Sequence, residues 1–406
     1  MLLERKNEDF IIGILNSNLC EAVLRILAPT ISFETGYLNF IPIPEAQRKN
    51  LPSEALTKIT ILDWDSFEIS WDFTFMQLLK SNYHQPTIES TFQNLRAHWR
   101  VMALEMKQLE EENNRIFIDA YGLQGELSPE VPLCEITLTC NPHYRYGGNK
   151  SEEELEALLL ADTMRELISY AVGCMFGRYA LEKPGLILAN QGETIEDYFK
   201  QIPEPKFPAD DDNVIPVVDR EWFEDDIVGR FKTFLKVTFG AEHFEENLKF
   251  VEDALDKDIR TYFLKEFYDH HVRMYKKRPI YWLFQSPKKG FSALIYMHRY
   301  RSDTVSSILN DYLREFITKL KARRDQLASA EISERISARE KTRAKKEAAA
   351  IAKTIAELEA YERDILYPLA AKRLEIDLDD GVKFNYPRFY PAVATIPGLD
   401  TKDEEE

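Results

Sequence analysis

The sequence predicts a helix-rich α+β fold, with a mixed α/β central region and a long C-terminal helical hairpin. Three observations predict it. Apolar residues recur at intervals of three and four through 7–27 and again beyond 302, the period of helices with one buried face. Two short runs, 279–285 and 291–297, read as a pair of strands. From Ser302 to Asp364 there is neither proline nor glycine, and Ala, Leu, Glu, Lys and Arg dominate.

Composition sets the frame. The chain has 406 residues, 44% of them apolar and 12% aromatic, enough for two or three packed units rather than a disordered polymer. A net charge of −17 excludes a protein that coats nucleic acid over its whole surface, though not one with a local basic groove. Cys20, Cys134, Cys140 and Cys174 form no C-x-x-C pair and have no His cluster nearby. They read as small apolar residues in a reducing compartment, not as zinc ligands. MLLERKNEDF lacks the apolar core of a signal peptide, and every apolar stretch is broken by charge before it could span a membrane. The first element begins near Asn7, which reads as an internal piece of a longer chain.

The elements follow in order. Residues 7–27 form an amphipathic helix stopped by Pro29. Ile31, Phe33, Tyr37, Phe40, Ile41 and Ile43 give two extended runs around Gly36, and a first division closes near residue 60. A mixed region, 61–219, holds a charged helix over 91–114, strands at 115–121 and 134–140, and a helix over 151–178. That last helix opens on a Ser151/Glu154 capping box. Five prolines between 183 and 219 mark a surface-running connection. Helices at 221–238, 244–256 and 258–276 and the strand pair make up 220–301. The hairpin occupies 302–370, with one apolar face on Ile308, Tyr312, Phe316 and Leu320 and another on Ile351, Ile355, Leu358 and Tyr361. Its middle, 319–347, is basic, with ten Lys/Arg against five Asp/Glu. Residues 371–406 read as a tail, largely loop and disordered.

Residues 270–302 carry the strongest functional signal. They hold eight Lys/Arg, three His and seven aromatics, with no Asp or Glu, a sharp reversal in an acidic chain. Cations suit phosphates, and aromatics stack on bases or pack beneath the backbone. Three readings stay open: a nucleic-acid contact, strand core with solvated charge at its ends, or a protein-binding surface. Under the first, Lys276, Lys277, Arg278, Lys288, Lys289, Arg299 and Arg301 contact phosphates, and Tyr281 and Trp282 are the stackers. His270 and His271 read as helix-surface residues.

Catalytic motifs are weak. NPHY (141–144) approaches the Asn/Asp-Pro-Pro-aromatic tetrad of amino-methyltransferases, but His143 stands where the second proline belongs, and no F-x-G-x-G occurs. A basic surface loop with Arg145 and Lys150 is the plainer reading. YGGNKS (146–151) lacks the spacing of a phosphate loop.

Four segments carry a resemblance. ILNSNLCEAVLRILAPTISFETGYLNFIPIP (14–44) resembles the target-recognition segment that follows the catalytic domain in large adenine methyltransferases. ELISYAVGCMFGRYALEKPGLI (166–187) and KKRPIYWLFQSPKKGFSALIYMHRY (276–300) resemble the BREX-type adenine-specific DNA methyltransferases, the PglX family. IDLDDGVKFNYPRF (376–389) resembles that family's C-terminal signature. The resemblance implies that residues 1–60 end a target-recognition region. It implies a cytoplasmic phage-defence protein acting on double-stranded DNA, and full-length relatives that use S-adenosylmethionine to methylate adenine N6. The family's cofactor and catalytic motifs lie upstream of what these segments match. The chain is therefore expected to bind no cofactor and to be inactive alone. The alternative is an interaction scaffold that docks a separate catalytic half or another BREX protein.

Overall fold

The computed structural model describes residues 5–27, 35–38, 41, 51–332 and 337–399. Most of the extended runs expected over 31–43 lie outside the described residues; Gly36 falls in the short helix α3. The chain divides into two compact units, Met1–Thr163 and Met164–Glu406.

The first unit is helical. Its elements are α1 (Arg5–Leu15), α2 (Asn18–Leu27), α3 (Thr35–Leu38), α4 (Ser53–Trp64), α5 (Ile88–Tyr121), α6 (Pro142–Tyr146) and the start of α7 (Glu152–Met175). Phe10, Ile14, Leu19, Leu24 and Phe117 build one core, with the Phe10 and Phe117 rings edge to face at 5.7 Å. Asn113 donates to the Gly13 carbonyl at 2.8 Å, and Asn114 accepts from the Asn18 amide. Arg96, itself buried, makes a forked pair with Glu156 at 2.7 and 2.8 Å. The Arg96 hydrogen bond holds the Glu156 carboxyl down at about 2.

Two expected strands are corrected here. Residues 115–121 complete α5. Phe117 and Ile118 extend the buried stripe of Trp99, Met102, Met106, Asn113 and Asn114, and helical spacing outweighs local β propensity. The stop is Gly122 at φ 67°, whose amide and that of Leu123 bond back into the last turn. Residues 134–140 do alternate, with Ile136, Leu138 and Cys140 buried, but they pair with no strand. Side chains take the ladder's place. The buried Asp63 carboxylate accepts from the Thr139 and Cys140 amides, and Asn141 donates to the Leu133 and Ile136 carbonyls.

The second unit has a small sheet with helices around it. After α7 come α8 (Ile195–Gln201), β1 (Ile215–Pro216), α9 (Ile227–Phe239) and α10 (Phe244–Leu255). Then α11 (Ile259–Tyr262), a π turn (Phe263–Phe267) and α12 (Tyr268–Met274) form one run leading to β2 (Tyr281–Gln285) and β3 (Ser292–Tyr296). The sheet is antiparallel in the order β1-β3-β2, with Tyr281 opposite Tyr296 and Gln285 opposite Ser292. The expected hairpin is α13 (Thr304–Ser307), a π turn and α14 (Arg314–Ile332), returning as α15 (Ala338–Tyr361), a second π turn and α16 (Tyr367–Lys372). Both of its expected apolar faces are buried. Gly290 in the β2–β3 turn packs so closely on α15 that an added Cβ would sit 2.6 Å from a Glu357 oxygen.

The proline-rich stretch 183–219 lies inside this unit. Val214, Ile215, Val217 and Val218 are buried there, and Val217 extends the sheet by donating to the Ser292 carbonyl. The tail is also packed, as far as Leu399. A short helix, α17 (Val382–Asn385), leads to Tyr386 and Phe389, both set edge-on against Trp282. Beyond them the chain runs along the outer edge of β2. Gln285 donates to Ala392, Ala394 donates to Leu283, and the Tyr361 hydroxyl donates to Ala392 at 2.8 Å.

Candidate nucleic-acid interface

The basic-aromatic window folds as a hairpin with an apolar inside and a cationic outside. Tyr281, Trp282, Phe284, Phe291 and Tyr296 are buried. Tyr281 and Trp282 are therefore core residues, and the stacking role expected of them is withdrawn. Trp282 donates its indole N–H to Pro279 at 3.1 Å. Arg299 is also interior. Its guanidinium donates to the carbonyls of Phe176, Asp210 and Asp211, at 2.7 Å for Asp210, so it pins the 209–214 loop and faces no ligand. His271 is corrected too. It is 1% exposed, and its Nε2 accepts from the Tyr281 amide at 3.2 Å. Burial, with Arg178 and His270 nearby, pulls its pKa down to about 3.

The remaining six cations are exposed. Lys276, Lys277 and Arg278 form the turn between α12 and β2. Lys288 and Lys289 sit in the turn between β2 and β3, where Lys289 donates its amide to the Ser286 carbonyl. Arg301 lies past β3 and pairs with Asp303 at 3.4 Å. Among the described residues, Lys276, Arg278 and Lys289 have no carboxylate partner. Three of the site lysines, Lys276, Lys277 and Lys289, have left-handed backbones, with φ of 50°, 62° and 59°. Only three other described non-glycine residues, besides these lysines, share that region outside this window: Asn213, Asp256 and Arg373. A side chain in that region costs on the order of 1 kcal/mol relative to glycine.

The two lysine turns are linked by a cleft of about 680 Å³. One wall is the run from Phe263 to Arg273, the floor is Leu283, Gln285 and Ser292, and the far wall is the tail segment 390–397. Lys277 and Lys289 reach it from opposite ends of β2, and Lys277 also donates to the Pro397 carbonyl at 3.2 Å. Two further cations line it, Lys265 and Arg273, against a single carboxylate, Asp269. Sequence reasoning missed Lys265 and left Arg273 out of its choice. Their spacing of four about Asp269 was the available signal, since residues four apart share a helix face.

The residue that approaches a methyl-transfer tetrad has other partners. The Asn141 side chain is consumed as a helix cap, donating twice to carbonyls and accepting from the His143 amide. Among the described residues no strand leads through a glycine loop into a helix. Nor do they include a cluster of three or more His, Cys, Asp or Glu able to hold a metal ion. No described helix is long and apolar enough to cross a membrane.

Comparison with known proteins supplies the relationship. No family model matches the chain. It is 33% identical over 404 residues to the adenine-specific methyltransferase BrxX of Escherichia coli O9:H4 (strain HS), covering 96% of this chain. It is 35% identical over 395 residues to the adenine-specific methyltransferase PglX of Lacticaseibacillus casei (strain Zhang), covering 93% of this chain. The match spans 33% and 31% of those two proteins, about a third of each. Over nearly its whole length this chain is thus a homologue of one third of the BrxX/PglX-type adenine-specific methyltransferases.

Proposed function

We propose that this chain is the DNA-recognition portion, from the C-terminal side, of a PglX-like adenine-N6 DNA methyltransferase acting in cytoplasmic BREX phage defence. Methyl transfer and S-adenosylmethionine binding belong to a part of the enzyme outside this chain. Lys276, Lys277, Arg278, Lys288, Lys289 and Arg301 contact backbone phosphates of double-stranded DNA. One observation carries the reading: exposed cations gather on the two turns that flank β2 in a chain of net charge −17, and three of them hold a backbone that glycine would hold with less strain.

The test is a salt series. Affinity for a random-sequence duplex should fall steeply with salt, and each single Lys→Ala or Arg→Ala change should lower the log–log slope by about one unit. Unchanged slopes in all six variants would remove these residues from the footprint. Adding a polypeptide with the remaining two thirds of a relative's sequence should restore adenine methylation.

A second reading, a docking module for the rest of such an enzyme, is favoured by a different surface. Ile61, Leu62, Trp64, Ile69 and Trp71 are all exposed within eleven residues of the first unit, Trp71 at 98%. The long C-terminal helices do not favour it, because their apolar faces are already covered.

A further inference from the structure

We propose that the cleft between the α11–α12 run, β2 and the tail is a nucleotide site, holding one unstacked nucleotide with its base on the floor and its phosphate among the cations. Its size, about 680 Å³, falls among small-ligand pockets, which run from about 300 to 1,000 Å³, and is far too small for a duplex. Its charge selects an anion. Lys265, Arg273, Lys277 and Lys289 face one carboxylate, and among the described residues neither Lys265 nor Lys289 has a carboxylate partner.

The floor selects a flat, partly polar group. Leu283 is apolar, while Gln285 donates its side-chain amide N–H to the Ser292 hydroxyl at 3.1 Å, which leaves its side-chain carbonyl oxygen as an acceptor. Asp269 is a second acceptor, and the exocyclic amines of bases are donors. An acidic peptide would satisfy the cations and could answer the acceptors with its backbone N–H groups, but it offers no flat ring to the floor. The nucleotide could arrive on a single strand or free in solution; the chemistry is the same, and the experiment separates the two. Two of its cations, Lys277 and Lys289, belong to the proposed duplex footprint, whereas Lys265, Arg273 and Gln285 do not, and the site does not depend on duplex binding.

The experiment uses the full chain and a labelled single-stranded hexanucleotide, followed by fluorescence anisotropy. Binding should weaken at least tenfold in K265E/R273E. It should change little in R343E/K346E, which carries the same charge change on exposed positions of α15. T395W, which fills the cleft from its exposed tail wall without altering charge, should also abolish binding while the melting temperature stays near that of the parent chain. Competition by AMP at comparable concentration would identify a free nucleotide as the ligand; competition only by unlabelled strand would identify the strand. Equal losses in the two charge variants, unaltered binding in T395W, or equally tight binding of a hexaglutamate peptide would overturn the proposal. Duplex binding without hexanucleotide binding overturns the cleft site alone. Hexanucleotide binding without duplex binding overturns the DNA-recognition reading and leaves the cleft site standing.

Discussion

The inside and the rim of the β2–β3 hairpin come from one stretch of basic and aromatic residues and meet opposite fates. Inside, Tyr281, Trp282 and Phe284 pack rings against rings, the Trp282 indole donates to Pro279, and the Arg299 guanidinium donates to three carbonyls. On the rim, Lys276, Arg278 and Lys289 are exposed, have no carboxylate partner among the described residues, and two of them sit in left-handed backbone. The lesson concerns position relative to the strands. The pleat and the covering tail decide which cations become structural and which stay available, and composition alone does not separate them.

Breaking the inside should cost most. Trp282→Ala removes a fully buried ring packed on Tyr386 and Phe389 and should destabilise the second unit by about 3–5 kcal/mol. Arg299→Met leaves three carbonyls without their donor, two of them buried, and should cost about 2–4 kcal/mol. Lys276→Ala and Arg278→Ala should stay within about 0.5 kcal/mol of the parent in the same urea titrations. A rim substitution as damaging as Arg299→Met would erase the distinction.

Acid should attack the inside selectively through His271. Its folded pKa of about 3 lies below its ordinary value of 6.5, so the unfolded chain binds the proton first. Stability from this group is complete above pH 6.5 and is lost as pH falls toward 3. His271→Gln keeps an acceptor for the Tyr281 amide and removes the titration. Relative to it, the parent should lose roughly 3 kcal/mol between pH 7 and pH 4. A constant difference between the two proteins across that range would show that His271 is not held neutral by burial.

Much of the architecture was legible because period is a strong signal. The C-terminal helices, the β2–β3 pair and the Ser151/Glu154 cap, whose reciprocal hydrogen bonds are present at 2.8 and 3.2 Å, all follow from spacing. The failures share a physical cause. Residues 134–140 alternate like a strand, but whether a ladder forms depends on what lies alongside, and here Asp63 and Asn141 do. The tail looked unstructured because its hydrogen bonds go to β2 and Tyr361, partners more than thirty positions away in sequence. The candidate site was half legible. The charge reversal located the hairpin, but the cleft needs Lys265 and residues 390–397 beside it, and no local pattern joins those segments.

The smallest effect is the sharpest test of the rim. Ser286 to Lys289 form a turn closed by the Lys289 amide on the Ser286 carbonyl, with Pro287 presetting its second position. Lys289 then takes φ 59°, a place hairpins of this kind usually give to glycine. Lys289→Gly should therefore relieve the backbone and raise stability by about 0.5–1 kcal/mol, while weakening the salt-dependent binding of DNA. Lys289→Ala, which keeps the Cβ and loses the charge, should weaken binding as much with no gain in stability. A stability gain in both would trace the strain to the lysine side chain rather than the backbone. A gain in neither would mean that the rim carries no strain and that no backbone cost holds these lysines in place for a ligand.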